Sequence, residues 1–165
     1  MNILNPLELR NEYMYKYDNS NITLVVGGAG TGKTWLVKKV INTNDYSHGI
    51  VISPIKDQYT ELPENFKHIL CKDFDSVTNC IKEFLSTEEK NDYKPLIVID
   101  GISYYKEATE EQVEDIVIKN IKSKCCNVLI TTQYDAKILS AIQFYCNVLA
   151  INNSDYMSTK VFGVF

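Results

Sequence analysis

At 165 residues and 45% hydrophobic, the chain is long and apolar enough for one domain with a full core that needs no staples. The formal charge of −4 reads against a surface coated in positive charge, though it leaves room for a local basic groove. Cys71, Cys80, Cys125, Cys126 and Cys146 are odd in number and form no C-x-x-C pair, so they read as free buried thiols and not as a disulfide framework or a zinc site.

The start, Met1-Asn2-Ile3-Leu4-Asn5-Pro6, lacks a basic region and a long apolar run, so no signal peptide is expected. No apolar run approaches the roughly 20 residues of a membrane span. The expectation is an intracellular, unsecreted protein of one domain over 1–165, with an extension at 1–20 and a core at 22–165.

Asn5-Pro6 opens a short expected helix through about Tyr17, and Asp18-Asn19-Ser20-Asn21 is a turn cluster. Ile22–Val26 is a short β-branched run and reads as a buried strand. After a glycine-rich stretch, Lys33 to about Asn42 reads as a helix with Trp35, Leu36, Val37, Val40 and Ile41 as its apolar positions. Gly49–Ser53 is a second strand stopped by Pro54, and His68–Cys71 a short third. Ser76 to about Ser86 is helical, with Val77, Cys80, Ile81, Phe84 and Leu85 at helical spacing and Ser76 as its candidate cap. Leu96–Asp100 is an apolar strand ending in an acid. Thr109–Lys122 is an amphipathic helix, with Thr109 and Gln112 as a capping box and Lys119, Lys122 and Lys124 near its far end. Asn127–Thr132 is a strand, and Asp135 caps a short helix to about Phe144. Cys146–Ile151 is a strand, and Lys160–Phe165 a candidate last one. Strands alternating with helices, and apolar on both faces, predict an α/β fold with a mostly parallel central sheet between helical layers.

Three stretches carry chemistry. Gly27-Gly28-Ala29-Gly30-Thr31-Gly32-Lys33-Thr34 fits G-x-x-x-x-G-K-[ST] in full, after a strand and before a helix. Glycines let backbone N–H groups turn inward around phosphates, and the helix N-terminus adds partial positive charge. Lys33 is then expected on the β- and γ-phosphates of ATP, and the Thr34 hydroxyl on Mg²⁺. Asp100 ends an apolar strand, where its carboxylate can hold the Mg²⁺ shell. The third stretch is Val128-Leu129-Ile130-Thr131-Thr132-Gln133. If its strand lies between the loop strand and the Asp100 strand, Gln133 points at the γ-phosphate, to orient a water or sense the phosphate. The plainer reading is a strand-to-helix turn with Asp135 as the cap.

In the order of these elements, the chain resembles the viral genome-packaging ATPases of the poxvirus type, in the FtsK/HerA branch of P-loop ATPases. The resemblance runs from about Ile22 to Ser154. Beyond the glycine loop it rests on Val51-Ile52-Ser53-Pro54, on Tyr59, Leu62 and Pro63, and on the strand ending in Asp100. Leu129-Ile130-Thr131-Thr132-Gln133-Tyr134 follows, then a helix, a strand and an Asn/Ser turn at Ile151-Asn152-Asn153-Ser154. The resemblance implies a P-loop NTPase three-layer α/β/α sandwich of the ASCE type. It implies a homo-oligomeric ring that threads double-stranded DNA into a capsid, at the expense of ATP, in the host cytoplasm (the viral factory) or the virion. Double-stranded DNA and capsid proteins are the partners it implies.

The chain departs from the family pattern in two ways. Where the family has a second carboxylate after the strand-end Asp, this chain has Gly101; Glu107, Glu110 and Glu111 could substitute only if the loop folds back. The family also reaches a neighbour's γ-phosphate with an arginine in trans, and Arg10 is the only arginine here. For DNA contact the candidates are Ser103-Tyr104-Tyr105-Lys106, chiefly Tyr104, Tyr105 and Lys106, and also Lys56, because tyrosine and lysine suit stacking and phosphate contact. The alternative for that segment is a solvated loop. Competing readings of the whole chain are a helicase-like motor, a nucleotide-binding scaffold with slow turnover, and a small nucleotide kinase. The kinase suits the sequence least, since an arginine-rich lid cannot be built from one arginine.

Overall fold

The computed structural model describes residues 22–87, 95–116, 126–133, 135–142, 145–154 and 158–162. The N-terminal extension with its expected helix and Arg10 lies outside the described residues, as do Lys119, Lys122, Lys124, Cys125 and Tyr134.

The β-branched run after the N-terminal turn cluster forms β1 (Ile22–Gly27), and the glycine loop leads into α1 (Lys33–Thr43). Then come β2 (Gly49–Ser53), β3 (Phe66–Leu70), α2 (Phe74–Thr87) and β4 (Leu96–Ile99). A short 3-10 turn at Ile102–Tyr104 precedes α3 (Glu110–Asp115), β5 (Asn127–Thr132) and α4 (Ala136–Ile142). The chain continues through β6 (Asn147–Ser154) and β7 (Ser158–Phe162). The seven strands form one sheet in the order β3-β2-β4-β5-β1-β6-β7. All neighbours pair parallel except β6 with β7, which are antiparallel.

The central strands are buried on both faces, as their near-continuous apolar sequences require. Leu24, Val26, Ile52, Ile99 and Ile130 meet Phe74, Val77, Ile81, Val113 and Ile142 from α2, α3 and α4. Val25, Val51, Val98 and Leu129 point the other way and meet Val37, Val40 and Ile41 of α1, with Tyr59 packed among them. The alternation along each strand therefore sorts the helices into two layers, and the molecule is the expected α/β/α sandwich.

Several local expectations change. α2 begins two residues before Ser76, because Phe74 extends the apolar spacing by one turn. Asp73 caps it, its carboxylate accepting the Ser76 N–H at 2.7 Å. That bond holds the Asp73 carboxyl below the ordinary aspartate range. Asn152, Asn153 and Ser154 are not a turn: they continue β6 and pair with Lys160, Thr159 and Ser158. The antiparallel partner gives these turn-favouring residues a ladder to join. Trp35 is 63% exposed and takes no part in the core. At 100° per residue it falls opposite the stripe of Val37, Val40 and Ile41. The capping box at Thr109 forms as expected, with Thr109 Oγ1 accepting the Gln112 N–H and the Gln112 side chain accepting the Thr109 N–H.

Candidate nucleotide site

The parallel strands β1, β4 and β5 end side by side, with β5 between the other two. Their C-terminal ends carry the glycine loop, Asp100 and Gln133. Ligands of such sheets bind beyond the carboxyl ends of the strands. A cleft of about 310 Å³ opens there, lined by Ala29 to Thr34, Pro54, Ile55, Gln58, Asp100, Gly101, Ser103, Tyr104, Thr131 and Gln133.

The glycine loop is closed by its own side chains. Thr31 Oγ1 donates to the Gly28 carbonyl at 3.0 Å, and Lys33 Nζ donates to the carbonyls of Gly27 and Gly28 at 2.8 and 2.7 Å. Gly32 caps α1 with φ 91°, a left-handed conformation that favours glycine. Burial pulls the Lys33 amine below the ordinary lysine range, and the Asp100 charge opposes that shift.

Asp100 is 4% exposed, and its carboxylate is held by hydroxyls. Thr131 donates to Oδ1, while Tyr59 and Thr34 donate to Oδ2 at 2.5 and 3.3 Å. Gln58 Nε2 donates in turn to Thr34 Oγ1 at 2.7 Å. The Tyr59 hydroxyl has its pKa pushed up by burial first, then by the charge of Asp100 and the hydrogen bond to it. Thr34 and Asp100 thus offer one hydroxyl and one carboxylate in contact. That donor set suits Mg²⁺ with water and phosphate oxygens completing its shell, the usual arrangement at phosphate sites. Among the described residues no group of three or more His, Cys, Asp or Glu could hold a metal by itself.

The polar triplet Thr131-Thr132-Gln133, which closes β5, divides its work. Thr131 bonds Asp100 and also accepts the Gly101 N–H at 2.8 Å. Thr132 faces the opposite side of the sheet, fully buried, with no partner for its hydroxyl among the described residues. Gln133 lines the cleft, and its N–H donates to Ser103 Oγ at 3.2 Å.

Around Asp100, one candidate is placed elsewhere and one conditional alternative is not realised. Tyr105 is 2% exposed and its hydroxyl donates to the Cys71 carbonyl at 3.2 Å, so it is a core residue and cannot contact DNA. The 3-10 turn sends Tyr104 outward and Tyr105 inward, leaving Tyr104 at 53% exposure on the cleft rim. Lys106 is exposed and lies outside the cleft. Nor does a nearby glutamate replace the missing second acid. Glu107 accepts the Phe74 N–H at 3.0 Å at the start of α2, and Glu110 and Glu111 occupy the first turn of α3, exposed. Among the described residues, Asp100 is the only carboxylate lining the cleft.

Gly101 explains why position 101 carries no acid. Its φ is 77°, and a Cβ there would stand 2.7 Å from the Tyr104 ring. Gly101→Glu is therefore expected to destabilise the fold by about 1–3 kcal/mol through backbone strain. Chemical denaturation checks this; a Gly101→Glu protein as stable as the parent and faster in turnover would contradict it. Gln58, Tyr59 and Thr131 had no assigned role in the sequence, and Ser103 was read only as part of a candidate DNA-contact segment. Only the Tyr/Pro stretch and the polar triplet hinted at two of them.

No protein-family model matches the sequence, and no curated protein matches it. Solved structures do match by fold. The VirB11 ATPase of the Brucella suis type IV secretion system, in complex with sulphate, matches over 88% of this chain and 49% of its own, with 12% identity and a TM-score of 0.57. Thermomonospora curvata EccC (ATPases 2 and 3), in complex with a signal sequence peptide, matches over 81% of this chain and 30% of its own, at 10% identity and 0.55. A DnaB-like replicative helicase matches over 82% and 49%, at 10% identity and 0.54. The chain spans at most about half the length of each of these three. It spans 65% and 43% of two further matches, an ATPase and the cytoplasmic domain of EssC. The fold is that of the P-loop NTPases.

Proposed function

We propose that this chain, with its P-loop NTPase fold, binds ATP as the Mg²⁺ complex and hydrolyses it as a motor on double-stranded DNA. The observation that carries the reading is the convergence of the glycine loop, Lys33, Thr34, Asp100 and Gln133 on one cleft, at the ends of three adjacent strands. In this reading the loop N–H groups and Lys33 hold the triphosphate, Thr34 and Asp100 hold Mg²⁺, and Gln133 orients the attacking water. Mg²⁺ supplies the charge that offsets the phosphate oxygens.

The finer proposal is genome packaging: a homo-oligomeric ring that moves viral double-stranded DNA into a capsid, in the host cytoplasm or the virion. The order of motifs supports it, with the Gln133 strand between the other two. Arg10 is the proposed trans cation, and Tyr104 and Lys106 remain proposed DNA contacts. No helix among the described residues is long and apolar enough to cross a membrane.

A scaffold with slow turnover is favoured by one specific feature: among the described residues the cleft has no second carboxylate beside Asp100. Steady-state ATP turnover with and without double-stranded DNA, alongside native mass, separates the readings. The motor predicts Mg²⁺-dependent turnover raised by DNA and a mass several times that of the monomer. ATP binding with turnover indifferent to DNA would sink the motor and leave the scaffold.

A further inference from the structure

The turn that follows β2 reaches the cleft and touches both residues assigned to the metal. Gln58 bonds the Thr34 hydroxyl and Tyr59 bonds the Asp100 carboxylate, at 2.7 and 2.5 Å. The turn is held firmly. Tyr59 is buried within the apolar cluster under α1, its ring centroid lies 5.4 Å from that of His68, and Lys38 Nζ stands 5.7 Å over its face. Asp57, just before, takes φ 61°, in the left-handed region that aspartate tolerates better than most residues.

Counting protons and lone pairs gives this turn its meaning. A threonine hydroxyl has one proton and two lone pairs. Thr34 directs its proton to Asp100, and Gln58 occupies one lone pair. One lone pair is left for a cation, and its direction is set by the other two bonds. Asp100 is tied on both oxygens, by Thr131 on Oδ1 and Tyr59 on Oδ2. A carboxylate tied on one oxygen can turn about its Cβ–Cγ bond; tied on both, it cannot.

We propose that Gln58 and Tyr59 are positioning residues for Mg²⁺, acting through Thr34 and Asp100. They fix the rotation of the hydroxyl and the carboxylate, so that the remaining lone pairs of both meet the metal shell without rearrangement. The inference rests on the nucleotide reading above and adds two residues from outside the glycine loop and the strand ends. Removing such supporting partners lowers metal affinity by about 10–100-fold in known sites.

The test uses the full chain with an ATP analogue that resists hydrolysis. Tyr59→Phe removes one oxygen and keeps the ring. Calorimetry should find the Mg²⁺ midpoint for analogue binding raised about tenfold or more, with affinity in EDTA unchanged. Gln58→Leu, at a half-buried position, should move the same midpoint from the Thr34 side, and it carries the test should Tyr59→Phe fail to fold. Combined with Asp100→Asn, Tyr59→Phe should add little, since it acts through that carboxylate. A folded Tyr59→Phe protein with the parent midpoint would overturn the inference, as would full additivity with Asp100→Asn. A parent that binds no analogue at any Mg²⁺ concentration would overturn the nucleotide reading too, and is told apart by that.

Discussion

Lys33→Ala is expected to abolish measurable ATP binding while leaving the fold intact. The ammonium sits at the mouth of the loop on two carbonyl oxygens, at 2.8 and 2.7 Å. Phosphate oxygens are stronger acceptors than neutral carbonyls, and each charge-assisted bond contributes about 1.5–3 kcal/mol. Two such bonds to the β- and γ-phosphates imply an affinity loss of about 10²–10⁴-fold. Both bonds are only part-buried, so the melting temperature should fall by a few degrees at most. Calorimetric titration with ATP and Mg²⁺ checks the first part and thermal unfolding the second. A Lys33→Ala protein that binds ATP like the parent would remove the loop from the site.

The second large effect is expected at Asp100→Asn. The carboxylate is bonded by hydroxyls in a position to donate, those of Thr131, Tyr59 and Thr34. An amide replaces one acceptor oxygen with a donor, so at least one of these bonds becomes donor against donor. The charge that would attract the metal shell is lost at the same time. Turnover in Mg²⁺ should fall by about two orders of magnitude, as for loss of a group that stabilises transition-state charge. ATP affinity in EDTA should hold or rise, because a negative charge near the triphosphate has gone. Comparing ATP affinity with and without Mg²⁺ for parent and variant decides it; an Asp100→Asn protein that still binds ATP more tightly with Mg²⁺ would rule out the metal role.

The features legible in the sequence were those with a fixed local grammar. The glycine loop announces itself by spacing, and the strands ending at Asp100 and Gln133 by apolar runs that stop at a polar residue. The alternation of strand and helix then implies the sandwich. What was hidden depends on tertiary placement. Tyr59 looks like any tyrosine in a turn until β4 brings Asp100 to its hydroxyl. Tyr104 and Tyr105 are adjacent and identical in chemistry, and only the 3-10 turn decides that one faces the cleft and the other the core. Trp35 is apolar and sits among apolar neighbours, yet the helical period carries it to the solvent side. Asn152-Asn153-Ser154 has the composition of a turn, and the antiparallel partner β7 overrides it.

The strand order also bears on how the molecule comes into being. β1, which leads into the glycine loop, pairs with β5 and β6: Ile22 lies beside Val128, and Thr23 beside Asn147. Thr34 and Asp100 are 66 positions apart. Such distant pairings fold slowly, because loop-closure entropy must be overcome before any contact forms. During synthesis β1 would leave the ribosome ahead of the other strands and wait, an apolar strand with both edges open, until β5 and β6 arrive. The phosphate-binding end of the molecule is then completed only once β5 and β6 are in place. Once it is formed, the strand that carries the loop is flanked on both sides, and it can open only when much of the sheet opens with it. Backbone amides of β1 should accordingly exchange with solvent at the rate of global unfolding.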